Sequence, residues 1–109
     1  MQLEIRFRGL DPSEAVEERI RERVAQLEKV EPQLIHCRVR VELPNHRHRH
    51  GDLFEVHIEL TGPGGVISVA RGTPPPDHSH EDVYVAIRDA FDAVMCRVED
   101  WQRRVRGEV

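Results

Sequence analysis

The sequence predicts an α+β domain in which two amphipathic helices cover one face of a four-stranded mixed sheet. Three observations lead there. Four segments read as strands, three of them alternating apolar and polar residues with the period of a half-buried strand. Two longer segments repeat apolar residues every three or four positions, as an amphipathic helix does. Their order along the chain is β-α-β-β-β-α, and 109 residues suffice for one domain, spanning 1–109.

Residues 2–8 place Leu3, Ile5 and Phe7 on one side and Gln2, Glu4, Arg6 and Arg8 on the other. Asp11-Pro12-Ser13-Glu14 then reads as a helix start, with either Asp11 or Ser13 as the N-cap. Val16, Ile20, Val24 and Leu27 form the buried stripe, and Pro32 ends the helix. Residues 35–43 alternate again, with Ile35, Cys37, Val39, Val41 and Leu43 inward. After a polar connection, Phe54, Val56, Ile58 and Leu60 define a third strand, and Thr61-Gly62-Pro63-Gly64-Gly65 turns it into a fourth at 66–71 whose inward register stays open. Pro74-Pro75-Pro76 marks a stiff loop. Ser79, with Asp82 three residues later, opens the last helix, whose stripe runs Val83, Ile87, Ala90/Phe91, Val94, Val98, Trp101 and Val105. The strands flanking the first helix are expected to be parallel, the rest antiparallel.

Composition excludes several function classes. The chain carries 16 Lys+Arg against 20 Asp+Glu, a net charge of −4, which does not fit a uniformly basic nucleic-acid binder. The charge is uneven: residues 1–50 sum to +1 and residues 51–109 to −5. No apolar run approaches the roughly 20 residues of a membrane span, the N-terminus lacks a signal-peptide layout, and two cysteines match neither a disulfide framework nor a zinc motif. A cytoplasmic protein without a membrane partner is the expectation.

Catalysis has little to stand on. Of three serines, Ser13 and Ser79 have capping explanations. Cys37 falls on an apolar strand face, where an inert buried thiol is expected, and Cys96 lies off the helix stripe with no histidine nearby in sequence. Gly62-Pro63-Gly64-Gly65 lacks the Lys-Ser/Thr of a phosphate loop. We therefore expect no catalytic residue, no cofactor and no small-molecule substrate. The segment His46-Arg47-His48-Arg49-His50 admits three readings: an exposed polar loop, a cationic loop touching phosphate, or a metal site, the last opposed by the interleaved arginines. Arg6, Arg8, Arg38 and Arg40 could form an RNA platform, but pairing across strands with Glu4, Glu42, Glu55 and Glu59 is the stronger reading. No aromatic side chain interrupts that face for base stacking. Arg97, Arg103, Arg104 and Arg106 also suit the dipole of a helix C-terminus, and Glu99 and Asp100, four residues before Arg103 and Arg104, partly neutralise those two.

Three stretches resemble the ribosome hibernation-promoting factor family, also known as ribosome-associated inhibitor A or sigma-54 modulation proteins. Ser13-Glu14-Ala15-Val16 with Leu27-Glu28-Lys29 is similar to the family's first helix. The meander over residues 35–71, with its basic-polar hairpin, is the second likeness. Glu81-Asp82-Val83-Tyr84-Val85-Ala86-Ile87, at the start of the last helix, is the most specific. The resemblance implies the same β-α-β-β-β-α fold, in a short form lacking a C-terminal dimerisation domain. It implies a stress-related translation inhibitor that binds the small ribosomal subunit and its 16S rRNA near the decoding region, occluding messenger and transfer RNA, with no DNA partner.

Where the family carries basic residues in the last helix, this chain has Ala93, Cys96, Glu99 and Asp100. The cations left for RNA phosphates are Lys29, Arg47, Arg49, Arg88, Arg97, Arg103 and Arg104. A regulatory protein-interaction module of the same fold, binding RNA weakly or not at all, is the alternative. The two readings differ in whether those cations share one face.

Overall fold

The structure, a computed structural model, describes residues 1–43, 53–71 and 82–107. The elements are β1 (Gln2–Arg8), α1 (Glu14–Val30), β2 (His36–Glu42), β3 (Glu55–Gly62), β4 (Gly65–Arg71) and α2 (Val83–Val105). The sheet order is β1-β2-β3-β4, with β1 parallel to β2 and the other pairs antiparallel. This is the architecture expected from the alternation and helical periods.

The helices and the inner sheet face share one core. Val16, Ile20, Val24 and Leu27 of α1 and Ile87, Phe91, Val94 and Val98 of α2 are all buried. They meet Cys37, Val39 and Val41 of β2 and Val56, Ile58 and Leu60 of β3, none of which has exposed area. Alternation leaves the opposite face of these strands to charged residues. Among the described residues no helix is long and apolar enough to cross a membrane.

Ser13, not Asp11, caps α1: its hydroxyl accepts from the Val16 N–H at 3.3 Å, and its carbonyl accepts from the Glu17 N–H. Asp82 caps α2 by accepting from the Tyr84 N–H at 2.9 Å, while Ser79 lies outside the described residues, as does the Pro74–Pro76 loop. Two residues expected inside are exposed. Ile35 stands before β2 and is 54% exposed, because Leu34 fills the core position at that end. Val105 is 66% exposed: the helical stripe continues geometrically, but the sheet and α1 no longer cover it.

The register of β4 is set by a bulge. Leu60 pairs with Ser68 and Thr61 with Val66, so Ile67 is the extra residue. Ser68 and Ala70 face inward, whereas Val66 and Val69 are exposed, the reverse of what hydrophobicity alone suggests. Ile67 packs on the core edge, and Gly62 leaves it room: a Cβ there would stand 3.3 Å from the Ile67 side chain.

The thiols differ sharply. Burial pushes Cys37 up to about 12, with the Glu28 carboxylate adding to the rise, while Cys96 is exposed. A thiol reagent at pH 8 is expected to modify Cys96 within seconds to minutes and Cys37 only after denaturation, giving one fast thiol in the native chain and two when unfolded. Two fast native thiols would contradict the burial of Cys37.

Candidate nucleic-acid interface

The domain presents two charged surfaces, and they behave oppositely. On the outer sheet face the register places Glu4 beside Arg38, Arg6 beside Arg40, Arg38 beside Glu59 and Arg8 beside Glu42. Ion pairs follow: Arg6–Glu4, Arg38–Glu4 at 3.4 Å, Arg38–Glu59 at 3.7 Å, Arg8–Glu42 at 3.4 Å and Arg40–Glu42 at 3.8 Å. The Arg6 guanidinium, hydrogen-bonded to Glu4, holds that carboxyl below its ordinary value, and Arg38 adds to the effect. Arg6, Arg8, Arg38 and Arg40 thus each have a carboxylate partner, as the pairing reading anticipates; Arg71, beside His57 on β4, is exposed on the same face. Such exposed pairs add little stability individually, but they offset most of the cationic charge of the face.

At one end of this face Glu42 and Glu55 stand directly opposite each other, an unfavourable like-charge pair. His57 lies between them, with Nε2 at 3.1 Å from a Glu42 oxygen and 3.4 Å from a Glu55 oxygen. The three residues bring ligand atoms within 4.8 Å of one another and are the group among the described residues that could hold a metal ion. Arg8 and Arg40 already share the Glu42 carboxylate, so the arrangement is that of an ion-pair lattice.

The helical surface is different. On α1, Arg19 pairs with Glu22, and Arg21 with Glu17 and Glu18, so those two cations are neutralised. Arg19 also lies over the Tyr84 ring at 5.1 Å, joining the two helices. Lys29, in the last turn of α1, is exposed. On α2, Arg88 pairs with its neighbour Asp89, and Arg103 with Asp100. The latter is an i,i+3 pair, so the expected Glu99–Arg103 and Asp100–Arg104 pairs give way to a single one. Arg97 and Arg104 are exposed and have no ion-pair partner among the described residues.

At roughly 100° per residue, Arg97 and Arg104 fall within about 20° of each other on α2. Arg88 lies on the opposite flank and Arg103 on the outer surface. The structure therefore brings Arg97 and Arg104 together, on the side facing β4. It leaves Lys29, Arg88 and Arg103 dispersed. Arg47 and Arg49, with His46, His48 and His50, lie outside the described residues. Gln102 ties the end of α2 to α1 by donating to the Val30 carbonyl at 2.8 Å.

Trp101 is the residue the sequence pattern conceals. Its helical spacing assigns it to the core, yet it is only half-buried. It lines a cleft of about 310 Å³ with Ile67, Arg97, Asp100 and Arg104. The available signal is its position four residues after Arg97 and three before Arg104, which puts an aromatic ring between two cations. Ile67 carries no such signal, because a bulge on a different element delivers it.

Comparison with known proteins agrees with this architecture. The family model described as sigma 54 modulation protein / S30EA ribosomal protein matches residues 3–106. No curated protein matches in sequence. The fold is similar to the Protein Y N-terminal domain of Thermus thermophilus, with a TM-score of 0.68 and 17% identity, over 93% of this chain and 99% of that one. It is also similar to a ribosomal subunit interface protein from Coxiella burnetii, with a TM-score of 0.71 and 13% identity, over 94% of this chain and 98% of that one.

Proposed function

The chain belongs to the sigma 54 modulation protein / S30EA ribosomal protein family, and from that premise we propose that it is a ribosome-associated translation inhibitor acting on the small subunit, in the cytoplasm. The observation that carries this reading is the family match across nearly the whole domain, 3–106, which leaves no room for a second functional unit within those residues. The fold's likeness to a ribosomal subunit interface protein accords with it. Among the described residues, Cys37 is buried and neutral, and Arg8 and Arg38 of the sheet face are paired with Glu42 and Glu59.

On this reading the chain acts by occupying space. A rigid domain seated on 16S rRNA near the decoding region holds the volume that messenger and transfer RNA would fill. Arginines supply phosphate contacts that position it without reading base sequence. Lys29, Arg88, Arg97, Arg103 and Arg104 are the candidates on the helices, with Arg47 and Arg49 on the β2–β3 connection. Arg97 and Arg104 stand first, because no carboxylate among the described residues competes for them.

Glu99 and Asp100, both exposed on α2, favour the second reading, a protein-interaction module with weak RNA affinity. Competition separates the two. Small subunits preincubated with the chain should lose binding of a leader messenger and initiator transfer RNA in proportion to the chain added. Undiminished binding of both, with the chain still on the subunit, would eliminate occlusion.

A further inference from the structure

The cleft between α2 and β4 combines features that the family assignment does not explain. Its walls are two arginines of the same charge, seven residues apart, about 10.5 Å along the helix axis. Two long guanidinium side chains at that spacing can converge on one phosphate or span two successive ones. Asp100 also lines the cleft, but Arg103 engages its carboxylate from the outer surface, so it does not neutralise Arg97 or Arg104. The apolar part is the half-buried Trp101 indole and Ile67, the bulge residue accommodated by Gly62. The volume of about 310 Å³ is at the small end of ligand clefts.

We propose that this cleft is a binding site for one unpaired nucleotide of single-stranded RNA, its base stacked on Trp101 and its phosphates held by Arg97 and Arg104. Aromatic stacking flanked by cations is how proteins hold unpaired bases without sequence preference. A duplex end is disfavoured, since its bases are not free to enter. An acidic peptide would satisfy the arginines but gains nothing specific from the indole face. The site lies on the flank of α2; of positions 93, 96, 99 and 100, only Asp100 is among its lining residues. The inference deepens the ribosomal reading by naming the RNA element contacted, and it rests on that reading only for the source of the RNA.

Trp101 is the single tryptophan of the chain; because it also lines a second cleft of about 380 Å³ with Val30, Gln33 and Val105, its fluorescence is assigned to the Arg97–Arg104 cleft by the arginine variants below. Titration with a short oligoadenylate at low salt should quench it saturably, whereas tripolyphosphate, an anion with no base, should not. Arg97→Gln with Arg104→Gln should weaken oligoadenylate binding at least tenfold while leaving the melting temperature unchanged. Trp101→Leu, followed by anisotropy of labelled RNA, should weaken it roughly tenfold, as loss of one stacked base does. Absence of quenching, equal quenching by a glutamate-rich peptide, or wild-type affinity in the double variant overturns the site. Its failure is distinguishable from failure of the ribosomal reading: wild-type oligoadenylate affinity in the double variant, with wild-type pelleting on small subunits, would reject the cleft and keep the ribosomal reading. Oligoadenylate binding without any pelleting would reject the ribosomal source and keep the cleft.

Discussion

Replacing Phe91 with alanine should destabilise the domain by about 3–5 kcal/mol, the range for truncating a buried phenylalanine. Phe91 is 3% exposed and belongs to the stripe by which α2 packs against the sheet and α1. The loss has two parts: the transfer free energy of the ring, and the cavity left because Val94, Ile87 and the strands beneath can relax only partly. A domain of this size has a total stability of roughly 5–15 kcal/mol, so the variant keeps a fraction of it and melts at least about 12 °C lower. Denaturant unfolding followed by circular dichroism measures this directly. A loss under about 1 kcal/mol would mean that the ring is not enclosed, and the packing of α2 would have to be redrawn.

Asp100→Lys should act on affinity with little effect on stability. Asp100 is exposed and ion-paired to Arg103. Such a solvent-facing pair contributes only about 0.3–0.5 kcal/mol. The substitution changes the local charge by two, removes a carboxylate from the edge of the Arg97–Arg104 cleft and releases Arg103. Each additional phosphate contact steepens the salt dependence of binding by about one unit. Tightening of roughly three- to tenfold at low salt is expected, and the advantage should fade as salt rises. Binding equal to wild type at every salt concentration would show that this end of α2 does not face RNA.

Much of the fold was legible because burial imposes a period. Leu3, Ile5 and Phe7, then Cys37, Val39 and Val41, then Val56, Ile58 and Leu60 alternate because one sheet face is covered and the other wet. Periodicity says nothing about where the covering element stops, which is why Ile35 and Val105 carry the pattern and are nevertheless exposed. A bulge defeats it outright: β4 turns Ser68 inward and Val69 outward, and no period of two anticipates an extra residue at Ile67. Capping depends on one local choice between Asp11 and Ser13, which the helix start at Glu14 settles.

The site was legible only in pieces. Sequence placed arginines at 97 and 104 but could not tell which would be neutralised. Asp100 stands within helical reach of both Arg103 and Arg104, and it pairs with Arg103. Trp101 followed the core stripe closely enough to pass for a core residue. The cleft joins α2 to a bulge on β4, some thirty residues earlier in the chain, and so becomes visible only when the sheet is assembled.

The central claim is that this domain binds the small ribosomal subunit through arginine–phosphate contacts. Sedimentation with separated ribosomal subunits over a series of salt concentrations tests it most directly. The account predicts that the chain pellets with small subunits at low salt, not with large ones, and is released steeply as salt rises. Failure to pellet at low salt, or pelleting that salt does not change, would contradict it.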